Sequence, residues 1–329
     1  MAVYTRIGAE EMAALVERFD VGNLVSAKGI AEGVSNSNWL IETTGGKDGT
    51  RFILTMYEYR IEVEDLPFFL SLLDHLAAKG CPVPRTIHDS EGHLYRIRDD
   101  GKGHVRALAL IEFLPGVSVS EPTPAQARAV GGAMAQVHLA AADFPQAREN
   151  AMGLPEWRRL ADACGHDGLE QIDPGLAEIV ERELPVLADR WPVDLPRSVI
   201  HADLFPDNVL MLGDRVTGLI DFYFACTDIT AYDVAVTHAA WCFDADGTTF
   251  RPDLSRALIE GYEAVRPLSD GERAALPLLA RGAAMRFTMT RAYDWLNTPA
   301  GALVTKKDPM AFARRIAFYA DPANAGVFA

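Results

Sequence analysis

Five polar side chains, His201, Asp203, Asp207, Asn208 and Asp221, stand at the ends of short apolar runs in V-I-H-A-D-L-F-P-D-N-V-L-M and, after a Gly-containing turn, V-T-G-L-I-D. The oxygens of Asn208 and Asp221 suit Mg²⁺, which commonly sits between one or two protein ligands and substrate phosphates. Asp203 can then orient an attacking hydroxyl and accept its proton, while Asp207 caps or pairs locally. In phosphoryl transfer the charge spreads over the phosphate oxygens, so positioned donors and metal do most of the electrostatic work and no abnormally basic aspartate is required. Other chemistries remain open on these residues. Paired aspartates also serve hydrolases; His201 and Asp203 could ligate zinc, although neither an HExxH pattern nor a cysteine pair accompanies them; and a polar loop of purely structural purpose is the bland alternative.

The elements that must hold these groups are short. Ser198 to Ile200 is β-compatible, Val209 to Leu212 resumes a strand, Gly213-Asp214 supplies a turn, and Val216 to Ile220 forms the partner that ends at Asp221. Asp203, Asn208 and Asp221 therefore converge at one end of a hairpin and its feeding loop. Upstream, Trp39 to Thr43 and Phe52 to Tyr57 flank G-G-K-D-G as a second hairpin. The polar run Gly33, Val34, Ser35, Asn36, Ser37 and Asn38 before it is flexible enough for backbone N–H groups to approach a phosphate, or to be a plain loop. Leu66 to Lys79 places Phe69, Leu72, Leu73 and Leu76 on one helical face, with Pro67 in the first turn and Gly80 at the C-terminal end. Glu64, just before it, stabilises that helix start, pairs with a cation or is plain surface charge. Further strands fall near Leu94 to Arg98 and Arg106 to Phe113. The Pro-rich segment 118–124 then leads into a helix that Thr123 caps and Pro124 opens, and in which His138 reads as a hydrogen-bonded histidine near the apolar face.

A chain of 329 residues buries a substantial core and divides into lobes. The boundary falls where the sheet pattern gives way to helices, with a first lobe over 1–114 and a second over 115–329. With 31 basic against 46 acidic residues, the net charge of −15 argues against nucleic acid or anionic membrane as partner. No apolar run is long enough for a membrane span and the N-terminus lacks a signal-peptide pattern, so a cytoplasmic location is the default expectation. Cys81, Cys164, Cys226 and Cys242 are too dispersed for a CxxC site and read as buried thiols.

H-A-D-L-F-P-D-N, followed by Asp221 thirteen residues after Asn208, resembles the catalytic motif and metal aspartate of aminoglycoside phosphotransferase-like kinases. More narrowly, E-G-V-S-N-S-N-W, F-I-L-T-M-Y-E, L-P-F-F-L-S-L-L-D-H-L-A and M-R-F-T-M-T-R resemble the bacterial homoserine kinases of that superfamily, over most of the chain. The resemblance implies an α+β, bilobal, protein-kinase-like fold: an N-terminal antiparallel sheet lobe with a helix, a larger, mainly helical C-terminal lobe, and ATP between them. It implies transfer of the ATP γ-phosphoryl group to the side-chain hydroxyl of L-homoserine for threonine synthesis. It makes Asp203 the catalytic base, with His201 beside it chiefly to hold the loop, and makes Asn208 and Asp221 the Mg²⁺ ligands. Gly33 to Asn38 become the phosphate-covering loop, and Glu112, Phe113 and Leu114 the hinge beside adenine.

Two departures from the general kinase pattern accompany it. Thr55 stands where a phosphate-binding lysine is expected, a substitution the chain shares with homoserine kinases of this kind, and D-F-Y-F replaces D-F-G, so that a constitutively formed metal site is expected. Asp228 and Asp233 are expected to orient this loop and cap the helix that follows. For a zwitterionic acceptor, Arg286 or Arg291 in the helical segment Glu272 to Leu296 would grip the carboxylate, with His138 and Asp233 supporting the acceptor cleft. Choline, an aminoglycoside or a methylthio-sugar are the alternative acceptors, and a nucleotide-binding pseudokinase is the alternative outside catalysis. Oligomeric state is open, because a buried intrachain face and a partner face share the same periodicity.

Overall fold

The computed structural model describes residues 7–30, 36–58, 62–99, 105–299 and 306–328. The chain is α+β and forms two compact units, Met1–Pro115 and Gly116–Ala329.

The first unit runs α1 (Ala9–Glu17), β1 (Leu24–Gly29), β2 (Asn36–Gly46), β3 (Gly49–Tyr57), α2 (Leu66–Ala78), β4 (Thr86–Ile87), β5 (Arg96–Asp99) and β6 (Val105–Glu112). Its antiparallel sheet has the order β1-β2-β3-β6-β4, with β5 also paired to β6. The β2–β3 hairpin is in the register Ile41↔Phe52 and closes at Gly46↔Gly49, where Gly45 and Gly49 take φ of 98° and 104° that side chains resist. Alternation along the strands then sorts the two faces. Trp39, Ile41, Phe52, Leu54, Met56, Leu108 and Leu110 share one face and pack with Met12, Val16 and Phe19 in a single core. Asn38 and Thr55, register partners, fall on the other face. Helix α2 ends with Gly80 at a φ of 80°, its N–H bonded to the Ala77 carbonyl.

The second unit carries α3 (Pro124–Ala140), α4 (Leu154–Ile172), α5 (Leu176–Arg190), β7 (Arg197–Ile200), β8 (Val209–Leu212), β9 (Arg215–Leu219), β10 (Cys226–Ile229), α6 (Thr230–Trp241), α7 (Pro252–Glu263), α8 (Asp270–Asn297) and α9 (Met310–Ala320). Thr123 caps α3 in a reciprocal capping box with Gln126, and Ser269 does the same for α8 with Glu272. Helices α3 and α7 cross closely: a Cβ on Gly131 would strike the Leu258 carbonyl, and one on Gly261 the Arg128 carbonyl. Helix α8 packs against α4, α6 and α9. The β8–β9 hairpin is joined by an antiparallel pair, β7 with β10, that alternation within either short strand does not disclose. All four cysteines are buried and free. Among the described residues no helix is long and apolar enough to cross a membrane.

Away from the hairpins, α6 buries His238 completely. The Tyr319 hydroxyl donates to its Nδ1 at 2.6 Å, and its Nε2–H donates to Ser255 Oγ at 2.8 Å, which in turn donates to the Val327 carbonyl at 2.7 Å. Burial pushes the imidazole down from 6.5 to about 3. The unfolded chain therefore takes up this proton first. The stabilisation is fully present above about 6.5 and is lost, at roughly 1.4 kcal/mol per unit, as pH falls from there toward about 3. Urea melts at pH 7.5 and 5.5 should show a smaller pH loss in His238→Gln than in the parent chain; equal losses would contradict this account.

Candidate active site

The loop between β7 and the short helical turn Pro206–Asn208 carries the charged groups, and its backbone is held at every peptide from residue 201 to 203. Ala202 adopts φ 62°, a left-handed conformation costly for a residue with a Cβ. Asp233, wholly buried in the first turn of α6, compensates: Oδ2 accepts the His201 N–H at 2.8 Å and Oδ1 the Ala202 N–H at 2.7 Å. Oδ2 also accepts His138 Nε2–H at 2.9 Å, and His138 Nδ1 accepts the Tyr262 hydroxyl at 2.8 Å. Burial alone would raise the Asp233 carboxyl; the His138 hydrogen bond and the His201 N–H bond hold it below the usual carboxylate range. The expectation that Asp233 caps α6 is thus corrected. No side chain caps that helix, because the carboxylate turns to the loop instead. Asp228 bonds Asn150 Nδ2 at 2.7 Å and the Ile229 N–H.

His201 ties the loop to the strand leading to Asp221. Its Nε2–H donates to the Ile220 carbonyl at 2.9 Å, and its Nδ1 accepts the Asp203 N–H at 3.2 Å. The Ile220 N–H is in turn accepted by the Asn208 carbonyl at 3.0 Å. The backbone N–H and carbonyl of Ile220 are therefore both fastened to this loop, and Asp221 follows in its own left-handed conformation, φ 66° and ψ 55°. Asn208 Nδ2 donates to the Asp203 carbonyl at 2.8 Å and approaches Asp203 Oδ2 at 3.4 Å, leaving the amide oxygen for another partner.

The charges are unbalanced. Burial pushes the Asp221 carboxyl up to about 7, and the carboxylates of Asp203 and Asp207 push in the same direction. Of these contributions, the like charge of Asp203 and Asp207 is the one that a bound cation would cancel. Asp203 is raised by burial and by Asp207 against the opposing charges of Arg286 and Lys307. Asp207 lies at the surface with Lys307 Nζ 4.0 Å away.

The two arginines of α8 part company. Arg286 is sealed from solvent, donates to the Ala202 carbonyl, and lies 3.8 Å from Asp203 Oδ1. Arg291 is half-buried over the Phe312 ring, 4.5 Å from its centroid, and donates Nη1 to the Asp308 carbonyl at 3.1 Å. Burial lowers its guanidinium to about 10 against the pull of Asp308, Asp207 and Asp203, so it stays charged at neutral pH. Direct acceptor contact by His138, Asp233 and Arg286 is ruled out by burial: each is at most 2% exposed, His138 bonds Tyr262 and Asp233, and Asp233 and Arg286 bond the loop. Ala202, Tyr262, Ile220 and Phe224 were missed, because their parts are played by backbone atoms, a lone hydroxyl and a ring face, which leave no motif.

In the first unit, Asn36, Ser37 and Asn38 belong to β2 and are not a loop; Gly33, Val34 and Ser35 lie outside the described residues. Thr55 donates to Asn38 Oδ1 at 2.8 Å, while Ser37 bonds Glu58 at 2.7 Å on the opposite face. Glu64 is exposed in a short helical turn before α2. Glu112 ends β6 with its carboxylate on the Arg85 backbone N–H at 3.2 Å and its own N–H on the Arg85 carbonyl at 2.9 Å; Phe113 and Leu114 continue without regular structure.

The sequence pattern of the phosphotransferase enzyme family matches residues 26–268. The chain belongs to that family of ATP-dependent phosphotransferases, and within it to the homoserine kinases. It is 48% identical to a homoserine kinase of Parvibaculum lavamentivorans over 99% of each chain, and 50% identical to one of Methylobacterium radiotolerans over 97% of this chain and 96% of that one. Among solved structures, an amicoumacin kinase in complex with AMP-PNP and Ca²⁺ shares the bilobal fold with a TM-score of 0.69 at 15% identity, covering 95% of this chain and 93% of that one.

Proposed function

We propose that this chain transfers the γ-phosphoryl group of ATP to the side-chain hydroxyl of L-homoserine, giving O-phospho-L-homoserine and ADP. The full-length likeness to homoserine kinases carries the acceptor. The homoserine hydroxyl would donate to the Asp203 carboxylate, which accepts its proton as the oxygen attacks phosphorus. Asp203 need only be ionised and correctly aimed, since positioning accounts for most of the barrier in this class of reaction. Arg291 would pair with the acceptor carboxylate, being charged, half-buried and within the field of Asp203 and Asp207. On the first unit, the backbone of Glu112, Phe113 and Leu114 would receive adenine.

Asn208 Oδ1 and the Asp221 carboxylate fit Mg²⁺. Both are hard oxygen donors, the Asn208 amide is turned by its bonds to Asp203, and Asp221 carries an unrelieved charge. Mg²⁺ bound there would neutralise charge on the phosphate oxygens.

ADP formation from Mg²⁺-ATP should be fastest with L-homoserine in a panel that also contains L-serine, L-threonine, choline and an aminoglycoside. A faster rate with choline or the aminoglycoside, or no acceptor-dependent ADP at all, would overturn the assignment. Arg291→Ala should raise the KM for homoserine by about 10- to 100-fold, the worth of a charge-assisted pair, with the ATP KM unchanged. An unaltered homoserine KM would remove Arg291 from the acceptor site.

A further inference from the structure

We infer that Arg286 is a positioning residue for the phosphoryl-transfer step, clamping the strained Ala202 peptide and the Asp203 carboxylate together and bracing the segment after Asp221. It rests on the reading of Asp203 as the group that receives the acceptor hydroxyl. The guanidinium is 1% exposed in the middle of α8, too enclosed to meet a small acceptor. One amino group donates to the Ala202 carbonyl and Nη2 stands 3.8 Å from Asp203 Oδ1. Its faces are covered by Phe224, 5.0 Å from the ring centroid, and Phe287, 4.7 Å away.

Each contact has a counterpart that completes a clamp. The N–H of Ala202 goes to Asp233 and its carbonyl to Arg286, so the left-handed peptide is gripped at both ends. The Asp203 carboxylate has Asn208 Nδ2 beside Oδ2 and Arg286 beside Oδ1, which leaves the plane of the carboxylate little freedom. Phe224 lies in the short helical turn Phe222–Phe224 that directly follows Asp221. One buried cation thus touches both the loop that aims Asp203 and the turn that follows Asp221. A lysine cannot reproduce this, because an ammonium lacks the flat fork that donates sideways while stacking between rings.

The test is a double-mutant cycle with Arg286→Lys and Asp203→Asn in the full chain, read as kcat and both KM values for Mg²⁺-ATP and L-homoserine. Arg286→Lys should lower kcat by about 100-fold, the scale of a misplacement of about 1 Å, with each KM within about threefold of the parent value. In the Asp203→Asn background the same change should cost less than about threefold, because the group it aims is already gone. A homoserine KM raised about tenfold or more with kcat retained would make Arg286 an acceptor ligand and overturn the inference. Equal losses in the two backgrounds would make its role structural and overturn it as well. Phe224→Leu keeps the guanidinium and removes one stacked ring; it should lower kcat by about 3- to 10-fold at unchanged KM, and full kcat would contradict the brace. Turnover of the parent chain on homoserine tests the proposed function separately, since the cycle depends only on ratios.

Discussion

Asp203→Asn should lower kcat by about 1,000-fold, roughly 4 kcal/mol of transition-state stabilisation, while the affinity for ATP stays within about threefold. The amide fills the same space, and the bonds that hold the loop run through backbone atoms: Asp203 N–H to His201 Nδ1, Asp203 carbonyl from Asn208 Nδ2. The ability to take the hydroxyl proton is removed, together with the negative charge that faces Arg286 and Asn208 Nδ2. Stability should move the other way. Burial raises the Asp203 carboxyl above its unfolded value, so the ionised form is the less favoured one in the fold, and the penalty is carried at every pH above the folded value. A neutral amide escapes it, and the Tm at pH 8 should be equal to or above that of the parent. Retained kcat would remove Asp203 from the reaction, and a lost kcat with a collapsed Tm would attribute the effect to unfolding.

What was legible in the sequence follows from how far each signal reaches along the chain. The β2–β3 hairpin, the cap at Thr123 and the run of polar groups from His201 to Asp221 are written in neighbouring residues, and the fold contains all of them. The resemblance supplied the bilobal class. Contacts between distant segments were illegible. Asp233 has the composition of a helix cap, and its use of both oxygens on His201 and Ala202, some thirty positions upstream, depends on α6 being laid under the loop. Arg286 and Arg291 are alike in sequence, five positions apart on one helix; the packing of α8 under Ala202 turns the first inward and leaves the second half-exposed beside Asp308. Asn36 to Asn38 read as loop because small polar residues favour turns, but pairing with Thr55 to Tyr57 overrides that preference in a central strand.

Asp221→Asn should raise the Mg²⁺ concentration needed for half-maximal rate by at least about tenfold and lower kcat at saturating Mg²⁺ by about 1,000-fold. The carboxylate is held in a left-handed conformation that Asn also tolerates, so the backbone survives and the charge alone is lost. The pH dependence separates this role from a generic acidic one. With the metal absent, burial and the neighbouring carboxylates hold the Asp221 proton up to about pH 7. A cation that binds the ionised form must displace that proton below about 7 and none above it. The apparent Mg²⁺ affinity of the parent chain should therefore fall as pH drops from 8 to 6, with proton release visible in calorimetry as a buffer-dependent enthalpy. In Asp221→Asn both the pH slope and the buffer dependence should shrink. An identical slope in the two proteins would mean that the titrating group lies elsewhere, and that the repulsion among Asp203, Asp207 and Asp221 is not what the metal relieves.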